Sequence, residues 1–169
     1  MKFIRVLILI ISFFVTNECL SQAIFSFDDL MTLKNQPTRI AAINWLKNRG
    51  FIFRKSEFDN EYYVYPSQYD NRHDYGDATV VIEKSYSAAV GKCRSFAYYT
   101  TAPNWDIILL GQTHGLGFKK FVSSEEFIYL KRGMTNLIIR KTTIKAKNYT
   151  DIPITFVRIF DENSKSWDD

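Results

Sequence analysis

Apolar and polar positions follow two different periods along the chain, and the change of period locates its elements. From Leu30 to Leu46 the apolar residues recur every three or four places, as on one face of a helix. Ser26 precedes Asp28 and Asp29, an N-cap followed by acids in the first turn, where the helix dipole favours them. Asn35-Gln36-Pro37 interrupts that helix, because a residue before proline avoids the helical region. Thr38 then caps a second helix, with Ile40, Ile43 and Leu46 as its apolar face and Trp45 beside them. Lys47 and Arg49 suit its last turn, and Gly50 suits the position past the end, where φ turns positive.

Beyond Gly50 the period drops to two. Phe51 to Lys55, Glu61 to Tyr65, Ala78 to Ser85 and Arg94 to Thr101 read as strands, in gaps too short for parallel crossovers, so antiparallel hairpins are expected. Asn104 opens a third helix, with Trp105, Ile108 and Leu109 on its apolar side and Gly111, Gly115 and Gly117 weakening its end. Strands follow at Phe118 to Ser123, Glu126 to Arg132, Thr135 to Ile144 and Ile152 to Phe160, with Gly133 in a tight turn. The tail Asp161 to Asp169 is polar and is expected to fray.

The second series repeats the grammar of the first. Gly50-Phe51 and Gly117-Phe118 each close a helical pattern and open a strand, 67 residues apart. The chain therefore reads as α+β, two tandem helix-then-antiparallel-sheet units with three helices and about eight strands, the helices on one face. Residues 22–101 form the first unit, 102–160 the second and 161–169 the tail. This helix, Gly-Phe and strand order at residues 44–65 and 106–132 resembles the tandem modules of the β-lactamase-inhibitor-protein-like family and the related small outer-membrane assembly lipoproteins. The resemblance is one of topology. It implies four-stranded units with a helix packed on each.

The first 21 residues follow a different logic. Lys2 and Arg5 precede an almost unbroken apolar run, Val6 to Val15, and small residues Cys19 and Ser21 follow. A charged start, a short apolar middle and a small-residue exit make a secretory signal peptide. The run is well below the ~20 residues of a membrane-spanning helix. Cys19 invites comparison with lipid-modified cysteines, but Thr16 and Glu18 stand where an aliphatic and a small residue belong, so lipid anchoring is not expected. The expected location is outside the cytoplasm, periplasmic or secreted.

Composition adds modest constraints. Aromatic residues make up 16% of the chain, ten Tyr and fourteen Phe among them, which fits an ordered core rather than a disordered segment. A net charge of +4 is too mild to imply nucleic acid, and export removes the chain from it. After cleavage only Cys93 remains, so no disulfide framework is available, and a lone cysteine reads as a small buried residue.

Candidate chemistry is thin. The loop Pro66 to Asp77 gathers Tyr69, His73, Asp74 and Tyr75, and loops between strands carry binding residues more often than the scaffold does. Its acids do not keep calcium-loop spacing, since Arg72 and Tyr75 fall where an acid and the glycine belong. His73-Asp74 could orient an imidazole, and His114 lies near a helix end, but neither has a nucleophile at a diagnostic spacing. No zinc-protease, serine-hydrolase, dithiol or phosphate-loop motif occurs. Neither a metal nor a cofactor is expected. Between Lys119 and Lys147 the second unit is locally basic, with Lys120, Lys131, Arg140 and Lys141 among its cations against Glu125 and Glu126. Tyr62, Tyr63 and Tyr65 add aromatics with polar tips, which suit interfaces as well as sheet packing.

These features favour an exported, non-enzymatic binding module. Its contact surface is expected at the tyrosine-rich loop and the sheet face. Its partner is expected to be a protein or an anionic cell-envelope polymer. The rivals are a small exported hydrolase using His73 or His114, and a structural component of the envelope.

Overall fold

The computed structural model describes residues 25–66, 77–88, 91–145, 151–162 and 167, without the side chains of 84–88 and 91–92. Signal-peptide residues 1–21 and the loop residues Tyr69, His73, Asp74 and Tyr75 lie outside the described residues. Among the described residues three helices, α1 (Phe27–Lys34), α2 (Arg39–Asn48) and α3 (Trp105–Gly115), lie with eight strands. The first four are β1 (Ile52–Glu57), β2 (Asn60–Tyr65), β3 (Ala78–Ala88) and β4 (Gly91–Thr100). The others are β5 (Lys119–Ser123), β6 (Phe127–Arg132), β7 (Thr135–Lys145) and β8 (Asp151–Asp161). The fold is α+β, and every strand pairing is antiparallel.

All eight strands form one sheet in the order β1-β2-β3-β4-β8-β7-β6-β5. Each hairpin series runs outward to inward, so the fourth strand of each meets the other at the centre. There Ser95 to Thr100 pair with Thr155 to Phe160. The outermost strands, β1 and β5, are the two edges.

Helix ends explain the entry into both series. Ser26 and Asp29 form a reciprocal capping box at the start of α1, and the Thr38 side chain caps α2. At the end of α2, Phe51 N–H donates to Leu46 O at 3.1 Å and Gly50 N–H to Lys47 O at 3.0 Å. At the end of α3, Phe118 N–H donates to Thr113 O at 3.2 Å and Gly117 N–H to His114 O at 3.3 Å. Both are Schellman closures, in which the residue past the cap adopts positive φ, here Gly50 at +85° and Gly117 at +78°. The same 67-residue offset relates irregularities in the edge pairs, between Phe53 and Lys55 on β1 and between Lys120 and Val122 on β5.

The core lies between the helices and one face of the sheet. Leu30, Leu33, Leu46 and Leu109 from the helices meet Val80, Phe96, Tyr98, Leu137, Val157 and Ile159 from the strands, all at most 1% exposed. Phe25 sits at its centre, stacked on Tyr98 at 4.9 Å and edge-on to Trp45 at 5.3 Å. Its backbone is held at both ends: the N–H donates to Tyr98 Oη at 3.1 Å, and the carbonyl accepts from Trp105 Nε1 at 2.8 Å. Burial pushes the Tyr98 phenol up to about 12. Cys93 is buried, as a small core residue should be.

Three expectations need correction. Ile40 and Ile108 face solvent, 71% and 55% exposed, and Ala42 and Leu46 supply the buried face of α2. Spacing by threes drifts off a helix face, because 3.6 residues make a turn. Asn104 stands at the N-cap of α3 as expected, in a left-handed conformation, φ +57°, and without a side-chain cap bond. The strand β1 does not bury one face: all six of its residues are exposed, as an edge permits. Trp167, within the tail expected to fray, is buried and donates Nε1–H to Ser95 O at 3.0 Å, under the Arg94 guanidinium 4.3 Å from its ring.

Candidate binding face

Alternation along the strands divides the sheet into two faces. Val80, Ile82, Phe96, Tyr98, Val157 and Ile159 point to the helices. Their neighbours in sequence point the other way, to a face on which no described helix packs. Across the centre of that face the ladder sets Tyr99 opposite Phe156, Ala97 opposite Arg158 and Ser95 opposite Phe160. It continues on β7 with Ile138 opposite Arg158 and Arg140 opposite Phe156, and on β6 with Tyr129 opposite Ile138. Tyr62 on β2 extends the same surface beside Val81.

Aromatic and cationic groups interleave along this row. The Tyr99 and Phe156 rings lie 4.9 Å apart, and the Arg158 guanidinium is 5.3 Å from the Phe156 ring. At the far side Lys55 Nζ stands 4.9 Å from the Tyr62 ring. Such pairs keep an aromatic surface partly wet and ready for polar contact.

A charged cluster fixes the middle. Glu83 is only 7% exposed, with Asn60 and Ser95 as its ladder partners. Arg158 meets it with two hydrogen bonds, Nε to Oε2 at 3.1 Å and Nη2 to Oε1 at 2.6 Å, and Ser95 Oγ donates to Oε2 at 2.5 Å. The parallel fork of a guanidinium matches a carboxylate geometrically, which holds Arg158 flat against the face. Around it Arg140 reaches Glu126 only at 3.6 Å, with both side chains more than half exposed, whereas Lys131 bonds both oxygens of Glu162 at 2.9 Å.

The predicted sites fare differently. Tyr69, His73, Asp74 and Tyr75 lie outside the described residues, so their convergence with His114 is outside them too. His114 stands exposed in the last turn of α3. Among the described residues no group of three His, Cys, Asp or Glu side chains gathers as for a metal. Tyr63 turns to the core, where burial raises its phenol despite the nearby Arg39, whereas Tyr62 stays on the open face. A shallow cleft at the end of the sheet, lined by Tyr99, Thr100, Ile144 and Ile154 among others, has room for little more than a water molecule, far below the ~300 Å³ at which small-molecule sites begin.

Sequence reasoning missed Glu83 and Arg158 as a pair. Part of their signal was present, Arg158 between Val157 and Ile159 and Glu83 directly after Val80-Val81-Ile82, but only the register between β4 and β8 brings β3 and β8 within reach. Comparison with family models, with curated proteins and with solved structures finds no match for the chain.

Proposed function

We propose that the chain is an exported, non-enzymatic binding module, and that the sheet face no described helix covers is the contact surface for an anionic partner, a protein or a cell-envelope polymer. The observation that carries the reading is the row Tyr99, Phe156, Arg158, Ile138, Arg140 and Tyr129, aromatic and cationic side chains on adjacent strands of a face that no described helix covers. Interfaces favour Tyr, Phe and Arg because rigid rings bury area at small entropic cost and guanidinium forks meet carboxylates or phosphates. Export rests on the charged start, the short apolar run and the small-residue exit of residues 1–21. Among the described residues no helix is long and apolar enough to cross a membrane.

The matched helix closures and edge irregularities at one offset support a duplicated unit as the origin of this platform. Two copies joined at their fourth strands make a face twice as wide as either. Such breadth suits a macromolecule better than a small substrate.

Photo-reactive residues placed one at a time test the reading in the producing cell. Substitution at Tyr62 or Tyr129 should give cross-linked adducts, and substitution at Ile107, 60% exposed on α3, should not. Equal adducts from both sides, or adducts from Ile107 alone, overturn it. Adducts at Tyr129 that vanish with Arg140→Glu would assign an anionic partner.

A further inference from the structure

We propose that β5 pairs with β5 of a second copy of this chain, antiparallel about a two-fold axis, to make a continuous sheet across a dimer. The strand is the last in the sheet order, so among the described residues one side of its backbone has no strand partner. All five of its residues are exposed, including Phe121 at 72% and Val122 at 42%. An open edge carrying apolar side chains is a template for a further strand.

The sequence of the edge determines the partner. Lys119-Lys120-Phe121-Val122-Ser123-Ser124-Glu125-Glu126 is basic at one end and acidic at the other. An antiparallel copy reverses that order. With Val122 opposite Ser123 at the axis, Lys120 and Lys119 of one copy come beside Glu125 and Glu126 of the other. The two-fold axis repeats the match, so the contact closes on itself and stops at two chains. A parallel copy would instead align like charges, which oppose pairing.

The charges concerned are available. Lys119, Lys120 and Glu125 are exposed and make no ion pair among the described residues, and the bond of Glu126 to Arg140 is long and open to solvent. Ser124 Oγ accepts from the N–H groups of Glu126 and Phe127, each at 3.2 Å, which fixes the acidic turn directly after the strand. Neighbouring cations are already engaged: Lys131 bonds both oxygens of Glu162 at 2.9 Å, and Arg132 donates to Leu116 O. The opposite edge offers no such match, because Lys55 on β1 bonds Glu57 of its own strand at 2.5 Å. The irregularity at Phe121 lies off the axis, leaving Val122 and Ser123 regularly paired.

Charge reversal tests both the contact and its register. Sedimentation of the protein over a wide concentration range should show a reversible monomer–dimer equilibrium that weakens with added salt. The variants K119E/K120E and E125K/E126K should each dimerise about tenfold or more weakly, since every cross-strand pair becomes like-charged. Mixed with each other they should form a heterodimer. The combination of all four changes should restore self-association, and K55E should leave it unaltered. Unchanged circular dichroism checks that these exposed changes preserve the fold. A wild-type chain that stays monomeric at every concentration, reversed variants that dimerise as the wild type does, or a mixture that fails to associate each overturns the proposal.

Discussion

At the scale of single residues, the structure depends on a few polar groups held inside apolar surroundings. Tyr98 is the clearest: its hydroxyl accepts from the Phe25 N–H while its ring stacks on Phe25. Tyr98→Phe keeps the ring and strands that N–H, at a cost of about 1–3 kcal/mol. The phenol also confers a pH dependence of definite sign. Its native pKa, about 12, exceeds the ordinary 10.0, so its contribution is complete below pH 10 and falls as pH rises toward 12. Urea unfolding from neutral to alkaline pH should show a steeper loss for the wild type than for Tyr98→Phe. Equal slopes would place the alkaline sensitivity elsewhere.

Glu83 poses the opposite case, a buried charge that relies on its partner. Glu83→Gln removes the Glu83 carboxylate charge from Arg158, and breaking a buried pair costs about 3–5 kcal/mol. Arg158 is partly exposed, its side chain 26% accessible, so the lower end of that range is expected. Replacing both, as Glu83→Leu with Arg158→Met, should cost less than the single change. Chemical denaturation of the three variants checks the ordering, and an additive double variant would mean the two groups do not interact.

At the scale of elements, much was legible because caps and turns are local. Ser26, Thr38, Gly50, Gly117 and Gly133 each mark a boundary through their own backbone or side-chain chemistry, and each stands where a boundary occurs. What escaped was which side of an element is buried. Ile40 and Ile108 are apolar and exposed, since helix orientation is set by the sheet beneath and not by the helix's own sequence. Trp167 escaped for the same reason, its site being built by Arg94 and Ser95 far upstream. The two closing glycines make a quantitative prediction. Alanine at Gly117 meets open space and should cost only the left-handed backbone penalty, about 1–2 kcal/mol. Alanine at Gly50 places its Cβ 3.2 Å from Tyr65 Cε2 and should cost more. Thermal unfolding of the two variants gives the comparison, and a larger loss at position 117 would contradict it.

At the scale of the molecule, the decisive contact is the one between β4 and β8. Hairpin spacing foretold eight antiparallel strands, but two separate sheets and one continuous sheet have the same local pattern. The choice rests on the pairing of Ser95–Thr100 with Thr155–Phe160, strands separated by an entire helix-and-hairpin series. The candidate face inherits this: Glu83, Ser95 and Arg158 meet only when the two series share a sheet. The loop residues Tyr69, His73, Asp74 and Tyr75 could be read only as a composition, because a loop's conformation is not encoded in a period.

One platform, rather than two independent units, is therefore what the binding reading requires. Native-state hydrogen exchange measures this directly. The amides of β4 and β8 along their shared ladder should exchange slowest in the molecule and only through global unfolding, at one common free energy for both series. Residues 118–145 exchanging at a free energy well below that of residues 51–100, with β4 opening apart from β8, would contradict the single sheet.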